Sequence, residues 1–492
     1  MKRQKNSKIR IDDNTLIAGQ LERFASLLNV SEYEALLESI HKPLLPAIRI
    51  NPLKSGDSIA GELSTNYGWT LLPIPYCSQG FRVKTNSGLS LSETVEYKNG
   101  CYYIQEASSM LPVELFSLTE ATTSLTLDLA ASPGGKTTHL VSRMEDSGLI
   151  LANDSSQGRL QALKIVLQQW GATNTAVTRF PGETFGSWFP DLFDRVLIDA
   201  PCSMQGLRTT ESHPPRPVTA KETRRLAKQQ VDLLTSAIAA TKIGGEIVYS
   251  TCTLAPDENE EVVASILSRL KDQVILEDAQ RILPIPAPGI ASTNDIDMQR
   301  AIRFWPHRYD TAGFFACIFK KIGSTGVNPK DAPSHSMEKA GFIELNSSEE
   351  NDFCLKLESE YGYPMQSYLN DHNRALIQRD DKIFIFPRLL LDHFPNLPVQ
   401  YAGLQVCTIN ADDISPTFEW VSRFGQQCQN SLTRLNEKEL AEWQKGLDIP
   451  FDHCWINKKA NIHIVLDEDG RFRGRGKLIQ GILKNLDYHR YL

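Results

Sequence analysis

The sequence predicts an α/β protein built on a mostly parallel sheet, with a small α+β module before it and a further region after it. Three observations carry that reading. Between residues 101 and 322, short apolar runs alternate with helical segments, the pattern of βα units. One such run leads into the turn Ser132-Pro133-Gly134-Gly135 and then a helix-forming stretch, the place where open α/β sheets bind ligands. Within residues 322–346, GSTGVNPKDAPSHSMEKAG has no apolar period and reads as a linker. Length agrees, since 492 residues at about 150 per domain give roughly three domains.

In chain order, Ser31 and Glu34 have capping-box spacing ahead of Tyr33, Leu36, Leu37 and Ile40, which predicts a short amphipathic helix ending near Pro43. Residues 47–50 (AIRI) and 69–72 (WTLL) read as short strands, so 1–100 forms the N-terminal α+β module. The central domain, 101–322, has four buried strand candidates at 124–130, 149–152, 194–199 and 246–250. A helix over 222–241 places Leu226, Leu233, Leu234 and Ile238 near helical spacing, and Gly244-Gly245 is expected to stop it. Residues 323–397 read as linker and connecting region, and 398–492 as a last domain. From Arg471 onward the chain holds six basic residues against one acid, Asp487.

Composition narrows the function. Hydrophobic residues at 41% and charged residues at 23% match a soluble globular protein, not a disordered, collagenous or membrane-spanning one. With 52 basic against 59 acidic residues, the net charge of −7 gives no global pull on polyanions, so nucleic-acid binding would rest on local patches. Nine cysteines, an odd number with none in C-x-x-C spacing, argue for reduced cytosolic thiols over a disulfide framework or zinc ribbon. No apolar stretch follows the basic N-terminus and no run approaches about 18 apolar residues, so neither export nor membrane insertion is expected. No His-Glu-x-x-His or other metal-ligand pattern is visible, and His307 reads as structural.

The chemistry concentrates at strand ends. In Asp128-Leu129-Ala130-Ala131-Ser132-Pro133-Gly134-Gly135-Lys136-Thr137-Thr138 the glycines permit close backbone approach to a ligand. A P-loop is excluded because Ala130 stands where its first glycine belongs and Pro133 removes an amide. A dinucleotide fingerprint is absent too. Asp154, at the end of the next strand, suits either ribose hydroxyls or the cap of a helix beginning near Ser156. Cys202 and Cys252 each follow a strand, and parallel neighbouring strands would bring both thiols to one sheet edge beside Asp199. A single free cysteine is usually a buried hydrophobe, but two at matching strand ends suit thiolate addition to an electron-poor ring with an acid beside it.

The segments DLAASPGGKTTHL, NDSSQGRLQALKIVLQQWG, FDRVLIDAPCSMQG and GGEIVYSTCTLAPDENEEVV resemble, in order and spacing, the motifs of RNA cytosine-5 methyltransferases of the NOL1/NOP2/Sun type. PAIRINPLK at 46–54, YIQEASSMLP at 103–112 and residues 303–319 extend the likeness, and the tail ending GRGKLIQGILKN resembles the PUA-like region of the bacterial RsmF branch, which acts on 16S ribosomal RNA. The resemblance implies a Rossmann-like sheet that binds S-adenosylmethionine, flanked by the N-terminal module and a C-terminal PUA-like RNA-binding region. It implies that Ala130, Ala131, Ser132, Pro133, Gly134, Gly135 and Lys136 hold the cofactor, with Asp154 on its ribose and Asp199 between cofactor and base. Cys252 would be the nucleophile and Cys202 would assist release of the 5-methylcytosine product. Pro181 stands where the family often has an acid near the adenine.

In such a reaction Asp199 would face N3 and the exocyclic amine of a base held out of its stack, carrying a proton retained by burial. Arg471, Arg473, Arg475 and Lys477 are the expected RNA contacts. Arg208, Arg216, Lys221, Arg224, Arg225 and Lys228 form a second basic cluster, as consistent with a solvated helix face as with RNA. The reading is therefore a cytoplasmic, monomeric enzyme acting on small-subunit ribosomal RNA. Its alternatives are a non-catalytic ribosome-assembly factor, or the same chemistry on transfer RNA or 23S ribosomal RNA.

Overall fold

The computed structural model describes residues 21–490 apart from 57, 86–87, 119–121, 206–216, 291–296, 411–412 and 451–459. Helix α1 (Val30–Ile40) is capped by Asn29, whose side chain accepts from the Glu32 amide at 3.0 Å. Ser31, the expected cap, lies inside the first turn and donates to Asn29 at 2.8 Å. The asparagine wins because its carbonyl reaches the third amide from the extended backbone at position 29.

Strands β1 (Ala47–Ile50), β2 (Thr70–Ile74), β3 (Cys77–Lys84) and β4 (Tyr102–Ile104) form an antiparallel sheet in the order β2-β3-β1-β4, with helix α2 (Ile59–Tyr67) between β1 and β2 in sequence. Ile48, Ile50, Leu63, Trp69, Val83 and Tyr102 fill its core.

The central sheet has five parallel strands, β5 (Leu125–Asp128), β6 (Leu149–Asn153), β7 (Thr175–Thr178), β8 (Phe193–Asp199) and β9 (Thr241–Thr251). Antiparallel β10 (Val274–Leu276), β12 (Phe314–Lys321) and β16 (Tyr401–Ala402) complete the order β10-β12-β9-β8-β5-β6-β7-β16, and β11 (Ile302–Phe304) pairs with β12. Helices α3 (Gly135–Arg143) and α4 (Gln157–Trp170) pack in the core on one face, α5 (Ala220–Ala240) and α6 (Glu260–Arg269) in the core on the other. From β5 the sheet grows one way through β6 and β7 and the other way through β8 and β9. The crevice therefore opens at the C-terminal ends of β5 and β8. Among the described residues no helix is long and apolar enough to cross a membrane.

Gly244 and Gly245 do not stop α5. The helix ends at Ala240 and passes directly into β9, where Phe193 pairs with Thr241 but Arg195 pairs with Glu246. The intervening residues bulge out, with Gly244 at φ +84°, and a Cβ on Gly245 would lie 2.7 Å from the Asp194 carbonyl.

The division expected at 397/398 is also corrected. Strands β13 (Ile343–Glu344), β14 (Arg374–Arg379), β15 (Lys382–Pro387), β17 (Leu404–Asn410) and β18 (Asp413–Pro416) form one antiparallel sheet, so β15 and β17 pair across that boundary. Linker composition ends near residue 341, and the hairpin β14–β15 then follows from apolar residues flanking Asp380-Asp381. A second five-stranded sheet, in the order β19-β21-β22-β23-β20, comprises β19 (Leu432–Arg434), β20 (Ile449–Pro450), β21 (Ile462–Leu466), β22 (Phe472–Ile479) and β23 (Ile482–Asn485).

Candidate active site

A cleft of about 970 Å³ opens at the C-terminal edge of β5, β8 and β9. Asp128, Ala130, Ala131, Ser132, Pro133, Gly135, Lys136, Asp199 and Cys252 line it. The rest of the lining comes from residues 40–44, just after α1, from residues 103–106, and from Ser109, Met204 and Ala312. Residues 40–44 lie far from the strand-end motifs in sequence, and no local signal marked them for the cleft.

The turn after β5 is shaped by Gly134, which starts α3 at φ +114°. Its α-carbon faces away from the cleft, since an added Cβ would meet Val166 at 3.0 Å and Leu163 at 3.1 Å. Gly134 thus shapes the loop without lining the cleft. Asp154 is buried and also does not line it. One of its oxygens accepts from the Ser156 amide (2.8 Å) and pairs with Arg159 (3.0 Å), while the other takes only the Ser132 amide at 3.3 Å. It therefore turns the chain into α4 and ties down the glycine loop, with acceptor capacity left on Oδ2. Asn153 holds the loop around Pro181 through both the amide (2.9 Å) and carbonyl (3.0 Å) of Phe180.

Two buried polar atoms on the cleft wall, Asp128 Oδ1 and Ser132 Oγ, have no hydrogen-bond partner among the described residues. Buried polar groups are rarely left unpaired, so both mark where a polar ligand completes the structure. Asp128 Oδ2 accepts from Thr137 at 2.7 Å. Burial pushes the Asp128 carboxyl up to about 7, with Asp199 adding to the rise and Thr137 and Lys136 opposing it.

Asp199 is not an isolated carboxyl. Its Oδ2 pairs with Lys136 Nζ at 2.6 Å, and its Oδ1 accepts from the Ser250 hydroxyl at 2.9 Å. Lys136 also lies 5.6 Å from the centroid of the Phe314 ring. The side chain of Asp199 is 35% exposed, so the expectation of a lone carboxyl kept protonated by burial gives way to an ion pair facing the cleft. Ser250 was not singled out in the sequence, because its role depends on the register that sets it beside Asp199.

The same register brings Cys202 and Cys252 together with Sγ atoms 3.2 Å apart. Cys252 lines the cleft, whereas Cys202 does not. Hydrogen bonding to Cys252, followed by burial, raises the Cys202 thiol well above its ordinary value, so it rests protonated. Buried Glu258 ties the two loops together. It accepts from the Ser203 amide (2.9 Å), the Ser203 hydroxyl and Gln230 Nε2 (3.0 Å), and Ser203 Oγ lies 3.2 Å from Thr253 Oγ1. Asn259 bonds Thr251 and the Thr253 carbonyl, fixing the other side of Cys252.

The expected RNA surface of the tail is corrected. Arg471 pairs with Asp467, Asp469 and Glu62, Arg473 with Asp467 (2.8 Å) and Glu96 (3.7 Å), and Arg475 with Asp487 (2.6 Å). Counting charge from Arg471 onward overlooked four acids, Asp467 and Asp469 just before it and Glu62 and Glu96 in the N-terminal module, and each of these arginines is engaged by acids of the same chain. Lys477 is exposed. Lys221, Arg224, Arg225 and Lys228 are exposed on α5, and Lys228 pairs with Asp232 at 3.2 Å. Arg208 and Arg216 lie outside the described residues. His307 is not among the cleft residues.

Among the described residues one group could converge on a metal ion, Cys77, Glu114 and His139. His139 Nε2 lies 3.0 Å from Glu114 and 3.8 Å from Cys77, its Nδ1 has no partner, and Arg143 pairs with Glu114 at 3.2 Å. A metal-bound imidazole normally has its other nitrogen held, and a guanidinium on the carboxylate opposes a second cation. The group is a hydrogen-bonded network.

Comparison with known proteins supplies context for this geometry. A family model described as 16S rRNA methyltransferase RsmB/F matches residues 115–320, and one described as the N-terminal domain of 16S rRNA methyltransferase RsmF matches 19–107. The chain is 31% identical over 436 residues to ribosomal RNA small subunit methyltransferase F of Erwinia tasmaniensis, covering 87% of each chain. It is 32% identical over 413 residues to the protein of that name from Shewanella woodyi, covering 83% of each. Among solved structures, a methyltransferase homolog protein from Pyrococcus horikoshii superposes with a TM-score of 0.53 at 28% identity, over 62% of this chain and 99% of that one. NSun6 from the same organism, solved with SFG, shares the fold at a TM-score of 0.53 and 23% identity, over 62% and 98% of the two chains.

Proposed function

The chain belongs to the ribosomal RNA small subunit methyltransferase F family, and from that membership we propose that it methylates C5 of a cytosine in 16S ribosomal RNA, using S-adenosylmethionine and a transient bond to Cys252. The observation that carries the reading is the convergence of Cys252, Asp199 and the glycine turn on one cleft. The orphaned Asp128 Oδ1 and Ser132 Oγ suit a polar, cationic cofactor, and Asp154 Oδ2, which takes the Ser132 amide at 3.3 Å, has acceptor capacity left for a ribose hydroxyl. S-adenosylmethionine, when bound there, supplies an electrophilic methyl group.

The residues account for the remaining steps. C5 of cytosine is a poor nucleophile until a thiolate adds at C6, so Cys252 forms an S–C6 bond while N3 takes up a proton. The Asp199–Lys136 pair offers a donor for N3 and an acceptor for the exocyclic amine within one 2.6 Å contact. After methylation the C5 proton passes to solvent or a base, the C5–C6 double bond re-forms as the S–C6 bond breaks and returns the Cys252 thiolate, and the proton taken up at N3 is given back. Cys202, protonated and 3.2 Å from the departing sulfur, is placed to receive it with a hydrogen bond. For the RNA, exposed Lys221, Arg224, Arg225 and Lys477 are candidate phosphate contacts, and the target base enters flipped out of its stack.

A denaturing gel with labelled RNA tests the roles. Cys202→Ala should accumulate a protein–RNA band and Cys252→Ala should give none, with bisulfite sequencing of 16S RNA losing one methylated cytosine in the latter. A band from Cys252→Ala instead would make Cys202 the nucleophile.

A further inference from the structure

The PAIRINPLK segment has no part in the reaction as derived above, yet its polar side chains are buried. Asn51 Nδ2 donates to the carbonyls of Gly100 (2.9 Å) and Trp170 (3.0 Å). Lys54 Nζ donates to those of Asn99 (2.9 Å) and Gln169 (2.8 Å) and to the Ser422 hydroxyl. Both fasten the N-terminal module to the end of α4, away from the cleft.

Arg49 has a different destination. It leaves β1 fully buried, donates through Nη2 to the Gly135 carbonyl (3.0 Å) and Thr138 Oγ1 (2.7 Å), and through Nε to Gln105 Oε1 (3.1 Å). Its guanidinium lies 4.7 Å from the Trp170 ring centroid. Gly135 and Gln105 both line the cleft and lie against each other, since a Cβ on Gly135 would come within 3.5 Å of Gln105 Nε2, so one planar group fixes both. Its hydrogen-bond partners, with Ser142 Oγ a further one at 3.5 Å from Nη1, are neutral, and burial lowers Arg49 to about 10 although the Glu114 carboxylate opposes the fall. The cation also sits beside the first turn of α3, where the helix dipole is already positive. A neutral side chain would fasten Gly135 and Gln105 with neither penalty. The Glu114 carboxylate and the Trp170 face offset part of this cost, and a negative group arriving at the N-terminal end of α3 offsets more.

We propose that Arg49 is a positioning residue for the cofactor: it sets the cleft lining through Gly135 and Gln105, and its charge favours the carboxylate of the ligand's amino-acid moiety at the start of α3. The inference rests on the reading that S-adenosylmethionine binds at residues 130–136. It makes the N-terminal module part of the cofactor site without touching the cofactor.

Titration calorimetry on the full chain tests it with two ligands, S-adenosylhomocysteine, which carries the carboxylate, and 5′-methylthioadenosine, which lacks it. Arg49→Gln should weaken S-adenosylhomocysteine by about tenfold or more and methylthioadenosine by less than about threefold. Arg49→Lys, which keeps the charge and loses the fork, should fall between wild type and Arg49→Gln for the first ligand. Lys54→Met should lower the thermal midpoint while changing both affinities by less than about twofold. Equal weakening of both ligands by Arg49→Gln, or of neither, overturns the role of Arg49. If Arg49→Gln does not fold, Arg49→Lys decides: it keeps the charge, so it should weaken both ligands by the same factor within about twofold, and a loss confined to one ligand, or no loss, overturns the proposal. Failure of the wild type to bind S-adenosylhomocysteine overturns the cofactor reading itself.

Discussion

Glu258 offers the sharpest test of how the two cysteine loops are held. Its carboxylate is fully buried and serves the Ser203 amide, Gln230 Nε2 and the Ser203 hydroxyl, while its backbone carbonyl accepts from Tyr249 at 2.6 Å. Glu258→Ala strands two buried N–H donors, each costing about 1 to 3 kcal/mol, and leaves a cavity, so roughly 3 to 6 kcal/mol of stability should vanish. That is a large share of the 5 to 15 kcal/mol typical of a folded domain, about. Glu258→Gln should cost only about 1 kcal/mol. Its amide oxygen can serve both N–H donors, and its NH2 can donate to Ser203 Oγ, which then turns toward Thr253 Oγ1 at 3.2 Å. Urea unfolding gives the stabilities, and the denaturing-gel assay with Cys202→Ala as background reports whether Cys252 still forms its adduct. An alanine variant as stable as the glutamine variant would refute the reasoning.

Other outcomes follow from the same geometry. The folded chain keeps a proton on Asp128 up to about pH 7 that the unfolded chain releases near its ordinary value of 3.8, so this group's contribution to stability is present at low pH and lost as pH rises through 7. Relative to Asp128→Asn, the wild type should lose up to about 4 kcal/mol between pH 4 and pH 8 in urea midpoints, and parallel curves would sink the claim. Because a cationic ligand favours the carboxylate, cofactor binding at pH 7 should release part of a proton, seen as a buffer-dependent calorimetric enthalpy. Neutralising Lys221, Arg224 and Arg225 together should flatten the salt dependence of RNA binding by up to about two units of slope, at about 0.7 per single-strand phosphate contact. Arg475→Ala should instead lower stability and leave that slope unchanged.

The strand ends were the legible part of the molecule. Runs at 124–130, 149–152, 194–199 and 246–250 correspond to β5, β6, β8 and β9 because strands buried on both faces must be apolar along their length. Cys202 and Cys252 follow two of these runs, and they meet at one sheet edge because β8 and β9 pair. What sequence spacing did not reveal depends on register or on distance along the chain. Ser250 reaches Asp199 only through the pairing of β8 with β9. Residues 40–44 reach the cleft only because the N-terminal sheet docks there, and Arg471 and Arg473 find Glu62 and Glu96 some 400 residues away.

Those distant pairs change what the C-terminal region does for the site. Arg471 and Arg473 hold the last sheet against α2 and the residues before β4, Lys54 meets Ser422 across the same seam, and β16 extends the central sheet at β7. The region beyond residue 322 thus braces the N-terminal module from outside while Arg49 anchors it to the glycine turn from inside. The Arg471–Glu62 pair is half-buried and contributes little, whereas Arg473 and Glu96 are largely buried, where leaving one partner unpaired is costly, so this pair favours a single docked arrangement. A fixed module keeps residues 40–44 as a rigid wall opposite Cys252. With its arginines occupied in that seam, the tail leaves the exposed lysines and arginines of α5 and Lys477 to meet phosphate. On this account, deleting the tail should damage cofactor affinity through Arg49 and Gly135 before it damages RNA affinity, the reverse of what a free basic tail would give.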